Sequence, residues 1–332
     1  MEDLFKGKNI TITGGTGTIG RGILTSALKN GANSIKVFSN DEFGLYELEE
    51  ENYSNKKIQY IIGDVRDEDS VRNVIKKTDL VFHAAALKHV DRCELNPFEA
   101  ITVNINGTRN VVKFSSSEGV KKVILISTDK AVNPIGVMGA TKLLAEKLIT
   151  SEAISRRSTT IFTCVRLGNV IQSRGSIIPR IESQIQRGGP ITLTDKKMKR
   201  FFTTVDNAIK LITRATKIAN GGEIFVPKMN LINLDDLFEV AKEKIAPKYG
   251  FKPTNIKTKV IGMRPGEKLI EYLLNEYEMN HAIETSEFFI IPPLQYVGKK
   301  VSYPHSHKVT NVKRYFSDLI PISRKEIHKM LD

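Results

Sequence analysis

Short apolar runs alternate with stretches of helical period through the first half of the chain. Asn9–Thr13, Ser34–Ser39, Gln59–Ile62, Leu80–His83, Val123–Ile126 and Thr160–Leu167 read as strands. They are rich in β-branched and aliphatic residues, and Thr160–Leu167 is apolar throughout except for Arg166, as a strand covered on both faces would be. Helical patterns fall between them, ending near Lys29, starting at Glu68, and covering Pro97–Thr108 and Gly139–Thr150. Leu143, Leu144 and Leu148 form the apolar side of the last of these. Strand–helix alternation of this kind predicts an α/β fold with a doubly wound parallel (Rossmann) sheet. The pattern loosens after Gly168-Asn169, which places the domain change there. The expectation is a dinucleotide-binding domain over 1–170 with a returning helix near 201–219. A smaller, interleaved α/β substrate domain over 171–295 and a tail over 296–332 complete the chain. Helices are expected near Ile178–Gln186, at Leu234–Ile245 and at Lys268–Leu274. Ser323 and Glu326 form a capping box opening a final helix.

Gly14-Gly15-Thr16-Gly17-Thr18-Ile19-Gly20 sits between the first strand and the first helix. In that setting a glycine-rich loop lets backbone close on a pyrophosphate, while the helix start offers free N–H groups. Arg21 follows Gly20, so the loop is not a Walker sequence. The second strand ends at Ser39, where an acid would hold a ribose 2′-hydroxyl. Ser39 tolerates a 2′-phosphate, yet no Arg stands beside it, leaving NAD versus NADP open with a lean to NADP. Asp64 follows the third strand and either meets the adenine amino group or caps the helix from Glu68. Ala84-Ala85-Ala86 leaves room for a cofactor after the fourth strand, and His89 has no second ligand at metal spacing. No metal is expected. The fifth strand runs into Ser127-Thr128-Asp129-Lys130, and Met138 and Lys142 share a helix face four residues apart. A hydroxyl, an acid and two amines at a strand end can move protons on a sugar.

Composition is that of a globular protein, 40% hydrophobic and 26% charged. No apolar run reaches the length of a membrane span, and Met1–Lys6 has no signal-peptide pattern. Two cysteines, Cys93 and Cys164, cannot build a disulfide framework, so a reducing cytoplasm is expected. The net charge of +13 is spread over the chain without a nucleic-acid-binding signature, so a nucleic-acid partner is not expected. A phosphate-bearing substrate suits the charge as well.

The motifs T-G-G-T-G-T-I-G, G-D-V-R-D, H-A-A-A-L-K-H-V, S-T-D-K-A-V-N-P, M-G-A-T-K, R-L-G-N-V, S-R-G-S and R-P-G-E-K stand in this order. Together they resemble the extended short-chain dehydrogenase/reductases, and within them the UDP-N-acetylglucosamine 4,6-dehydratases of polysaccharide biosynthesis. The resemblance spans roughly residues 6–292. It implies a bound NAD(P) with Gly14, Gly17 and Gly20 on its pyrophosphate, Asp64 on adenine and Lys142 on the nicotinamide ribose. Thr16, Thr18, Ile19, Ser39, Val65, Ala84, Ala85, Ala86 and Asn104 line the same cofactor. Thr128, Asp129 and Lys130 would surround the hexose, while Lys88 and His89 line the sugar site. Arg166, Asn169, Arg174, Ser176, Arg200, Arg264 and Glu267 would line the UDP side. Most short-chain dehydrogenases have a catalytic Tyr where this chain has Met138, and a thioether cannot take a hydroxyl proton. A branch of the dehydratases has Met there too, and Glu42-Phe43-Gly44-Leu45-Tyr46 is similar to it. The C4-hydroxyl proton then passes to Thr128, Lys142 or a water. The implied chemistry is C4 oxidation, C5–C6 water elimination with Lys130 as base and Asp129 as acid, and hydride return, with C5 retained or inverted. Rival readings are a UDP-hexosamine 4-epimerase, which needs no such pair, and a cofactor-sensing scaffold, suggested by the missing Tyr. Family members commonly form homo-oligomers.

Overall fold

The computed structural model describes residues 2–155, 158–293, 303–310, 312 and 319–331. The dinucleotide-binding half is built from β1 (Asn9–Thr13), α1 (Thr18–Lys29), β2 (Ser34–Ser39), α2 (Glu42–Glu51), β3 (Ile58–Ile62), α3 (Glu68–Ile75) and β4 (Leu80–His83). It continues through α4 (Gly107–Ser117), β5 (Lys122–Thr128), α5 (Val137–Ser155) and β6 (Ile161–Leu167). Among the described residues the second half contains β7 (Asn169–Val170), α6 (Ile177–Gln186), β8 (Ile191–Leu193), β9 (Lys199–Thr203) and α7 (Val205–Ile218). It ends with β10 (Ile224–Pro227), β11 (Asn230–Asn233), α8 (Leu234–Ile245), β12 (Thr258–Val260), β13 (Ile283–Glu284), β14 (Phe288–Ile291), β15 (His307–Lys308) and α9 (Arg324–Leu331).

The main sheet has the order β15-β13-β14-β10-β6-β5-β4-β1-β2-β3. From β3 to β10 every pairing is parallel, and β14, β13 and β15 add an antiparallel edge. This is the doubly wound Rossmann sheet that the alternating pattern predicts. Helices cover both faces, which is why β4, the middle of β5 and most of β6 are apolar and buried. Ile12, Val37, Phe82, Ile124 and Val165 belong to the core of the sheet, and α7 packs directly on α1 over the same cluster. The second lobe has its own core of Ile178, Ile181, Ile185, Leu237, Phe238 and Ile245. The final helix docks there through Ile327, and Arg324 pairs with Asp236 at 2.7 Å. Ser323 and Glu326 cap that helix reciprocally, as expected. Of the expected tail, 296–302, 311, 313–318 and 332 lie outside the described residues.

Four elements depart from the sequence reading. Helix α5 starts at Val137 rather than Gly139 because the Glu94 carboxylate accepts the Val137 N–H at 2.6 Å. The Pro97 helix becomes a π-helical turn over Thr102–Asn106 before continuing as α4. Phe201 lies in β9, with the returning helix confined to Val205–Ile218. Lys268–Leu274 is not a helix: the carbonyls of Lys268 and Leu269 are taken by Arg200 and by the Lys199 N–H, so they are not free for helical bonding.

Candidate active site

The carboxyl ends of the parallel strands open into one cleft of about 720 Å³, bounded on the far side by the second lobe. Its size fits a nucleotide-scale ligand. On one wall lies the glycine loop. Gly14 has φ +65, and a Cβ there would sit 2.6 Å from the Ala85 nitrogen. A Cβ at Gly20 would sit 2.6 Å from the Gly14 carbonyl oxygen. Only glycine lets the loop, the helix start and the Ala84–Ala86 segment approach this closely. Gly17 caps α1 without a side-chain bond, so the first-turn amides stay open to a ligand. These donors, over a cradle that any side chain would fill, fit the pyrophosphate of a dinucleotide.

Along the same wall Thr16, Thr18, Ile19, Ser39, Asp64, Val65, Ala84, Ala85 and Ala86 face the cleft. Asp64 is not the helix cap; Asp67 is, accepting the Ser70 N–H. Asp64 instead binds Arg66 and Asn40, which hold its carboxyl below its usual range against the opposing effect of burial. Asn104 corrects an expectation: its side chain is 1% exposed and does not reach the cleft. It bonds the Leu87 N–H and carbonyl and the Thr141 hydroxyl, pinning the strand-end segment to α5. His83 is buried beside it, between the Thr13 and Thr108 hydroxyls. Burial, then Lys142, pushes its pKa down to about 3, so the ring is neutral.

The far end of β5 supplies the chemistry. Lys142 is buried and donates to the Ile126 carbonyl at 2.7 Å. Burial lowers its pKa to about 8, against the opposing pull of Glu146. Thr128, Lys130, Met138 and Lys142 all line the cleft. Lys130 Nζ lies 3.0 Å from Asp129 Oδ1, which also accepts the Thr128 hydroxyl at 3.0 Å. Asp129 itself is fully buried and does not line the cleft, and its Oδ2 has no hydrogen-bond partner. It reaches a ligand only through Lys130 and Thr128, a correction to its expected direct contact with a hexose. Met138 is 3% exposed and packs on Cys93 and Ala100 as part of the cleft floor.

The second lobe contributes Asn169, Arg174, Ser176, Arg200, Arg264 and Glu267, with Lys88 and His89 opposite. The Ser176 hydroxyl is buried without a partner at the start of α6. Arg200 is held by the Lys268 and Leu269 carbonyls. Arg264 and Glu267 share a turn closed by the Glu267 carboxylate on the Arg264 N–H. Arg180 and Gln184 also line the cleft, four residues apart on one face of α6, a spacing that could have flagged them. Arg166 is a third correction: it is fully buried and away from the cleft. Its guanidinium pairs with Glu146 at 2.7 Å and Glu278 at 3.0 Å, and Glu146 also accepts the Ser127 hydroxyl. Burial alone would lower its pKa, but the two carboxylates hold it well above its ordinary value.

Among the described residues there is no cluster of metal ligands and no helix long and apolar enough to cross a membrane. The signature of the polysaccharide biosynthesis protein family matches residues 10–293. The chain is 38% identical to a Campylobacter jejuni protein named UDP-N-acetylglucosamine 4,6-dehydratase (inverting), covering 87% of this chain and 84% of the relative. It is also 38% identical, with the same coverages, to a Rickettsia bellii protein named UDP-glucose 4-epimerase. The solved structure of Pen from Bacillus thuringiensis superposes with a TM-score of 0.90 at 43% identity, covering 99% of this chain and 98% of that one. With a Rossmann sheet, a glycine-loop cleft and these relatives, the chain belongs to the polysaccharide biosynthesis protein family of extended short-chain dehydrogenase/reductases.

Proposed function

We propose that the protein dehydrates UDP-N-acetylglucosamine to a UDP-4-keto-6-deoxy-hexosamine. The observation that carries this is Lys130, which faces the cleft at the end of β5 while tied to buried Asp129 and set with Lys142 on the same wall. A nicotinamide dinucleotide, held over the glycine loop, supplies hydride acceptance from C4 and hydride return to C6. Lys142, in the amine form that its lowered pKa brings within reach, takes up the C4-hydroxyl proton through Thr128, a task Met138 cannot perform. As an amine, Lys130 removes the C5 proton made acidic by the 4-ketone. The ammonium so formed gives that proton to the departing C6 hydroxyl, which leaves as water, and once hydride is returned to C6 the resulting enolate would take the stored C4-hydroxyl proton at C5. Asp129 holds the Lys130 side chain in place instead of touching the sugar. Arg180, Arg200, Arg264 and the unpartnered Ser176 hydroxyl, with the amides at the start of α6, suit the diphosphate and uridine of the substrate.

An epimerase would share the cleft and the first oxidation but has no use for a base at C5. Incubating the protein with UDP-N-acetylglucosamine, without added reductant, should give a product lighter by one water in the mass spectrum. An isomer of unchanged mass would establish epimerisation instead, and no turnover of either kind would end the proposal.

A further inference from the structure

Arg174 lies at the coenzyme end of the cleft, not at the end where the sequence motif suggests a UDP contact. It arrives on the Ser173–Ser176 turn, 133 residues after Asp41, and its guanidinium donates to Asp41 Oδ2 at 2.7 Å. Its backbone N–H donates to Thr18 Oγ1 at 2.9 Å, and its carbonyl accepts from Lys88 Nζ at 2.5 Å. The second lobe is thus strapped to the first at three points, the start of α1, the start of α2 and the segment after β4. The segment it meets, the end of β2, is where doubly wound folds read the adenosine ribose.

What stands at that point is unsuited to grip a free ribose diol. Ser39 is buried, with its hydroxyl shared by Thr16 and by the Asp41 N–H. Asp41 has both oxygens engaged, Oδ1 by the Gly44 N–H that it caps and Oδ2 by Arg174. The Arg174 side chain, in contrast, is 63% exposed and lines the cleft, so its guanidinium is held by one carboxylate and otherwise open. A phosphate carries more charge than that carboxylate and offers three acceptor oxygens to a guanidinium fork.

We propose that Arg174 reads the 2′-phosphate of the adenosine ribose and makes the protein select NADP over NAD. On coenzyme binding its guanidinium trades Asp41 for the phosphate. Selectivity then resides in the second lobe, carried to the coenzyme by the strap. This rests on the reading above that the cleft holds a nicotinamide dinucleotide.

The test is direct titration of the full-length protein with NADPH and with NADH, followed by nicotinamide fluorescence and repeated on Arg174→Ala and Arg174→Lys. The wild type should bind NADPH more tightly. Arg174→Ala should weaken NADPH about 10- to 100-fold while leaving NADH within about twofold, and Arg174→Lys should retain part of the preference. Equal weakening of both coenzymes would reduce Arg174 to a strap and overturn the proposal, as would NADPH affinity unchanged in Arg174→Ala. Failure of the wild type to bind either coenzyme would instead remove the dinucleotide reading itself, and this proposal with it.

Discussion

Two stretches of the molecule carry most of the polar chemistry, Ile126–Lys142 and Arg166–Ser176, and they behave differently. In the first, the role of each side chain follows from its place on a local element. Lys130 sits at a strand end and Lys142 one helical turn beyond Met138, and of Thr128, Asp129, Lys130 and Lys142 all but Asp129 face the cleft beside Met138. In the second, Arg166 near the end of β6 and Arg174 on the turn after β7 part company. Arg166 points into the protein and is consumed by Glu146 and Glu278, whereas Arg174 crosses the cleft to Asp41. The same residue type is structural in one case and ligand-facing in the other. What separates them is the partner each meets from distant parts of the chain.

The largest effect should come from the first stretch. Lys130→Ala is expected to slow water elimination about 10²- to 10⁴-fold, measured by mass spectrometry of the product, with coenzyme affinity unchanged. Elimination at the wild-type rate in that variant would dissolve the contrast drawn here, because the strand-end amine would then be only another structural partner. In the second stretch the expectation is for stability. Glu146→Ala leaves a buried guanidinium short of a partner and should cost about 3–5 kcal/mol, read as a fall in Tm of the order of 10 °C. A loss of activity at unchanged Tm would return Arg166 and Glu146 to the catalytic side of the comparison. The smallest effect concerns Lys142. Burial has lowered its pKa to about 8, so the amine is charged below that pH and neutral above it. If the charge holds the coenzyme, affinity should be flat below about pH 8 and fall by at most about tenfold per pH unit above it. The slope should vanish in Lys142→Met. A fluorescence titration across about pH 6.5 to 9.5 measures both.

Several features were readable without coordinates because their causes are local. Buried parallel strands must be apolar, and Asn9–Thr13, Ser34–Ser39 and Leu80–His83 are found at the bounds expected of them. Leu234–Ile245 has the period and the Asn233 cap of a helix and is one. Others were misread because their causes are not local. Asn104 looks like a cofactor contact until Leu87 and Thr141 are seen to occupy it. Lys268–Leu274 has helical spacing, but its carbonyls are claimed by Arg200 and Lys199. Asp129 has the chemistry of an acid at a sugar, yet its neighbours enclose it completely.

The amino-acid order alone determined the parallel sheet, the glycine cradle and the strand-end amines, because periodicity, φ freedom and side-chain chemistry act over a few residues. Tertiary structure alone decided which charges are spent inside and which face the cleft. A guanidinium or carboxylate goes to whatever counter-charge lies within hydrogen-bond reach, and that neighbour is set by chain crossings more than a hundred residues apart, as between Arg174 and Asp41 or Arg166 and Glu278.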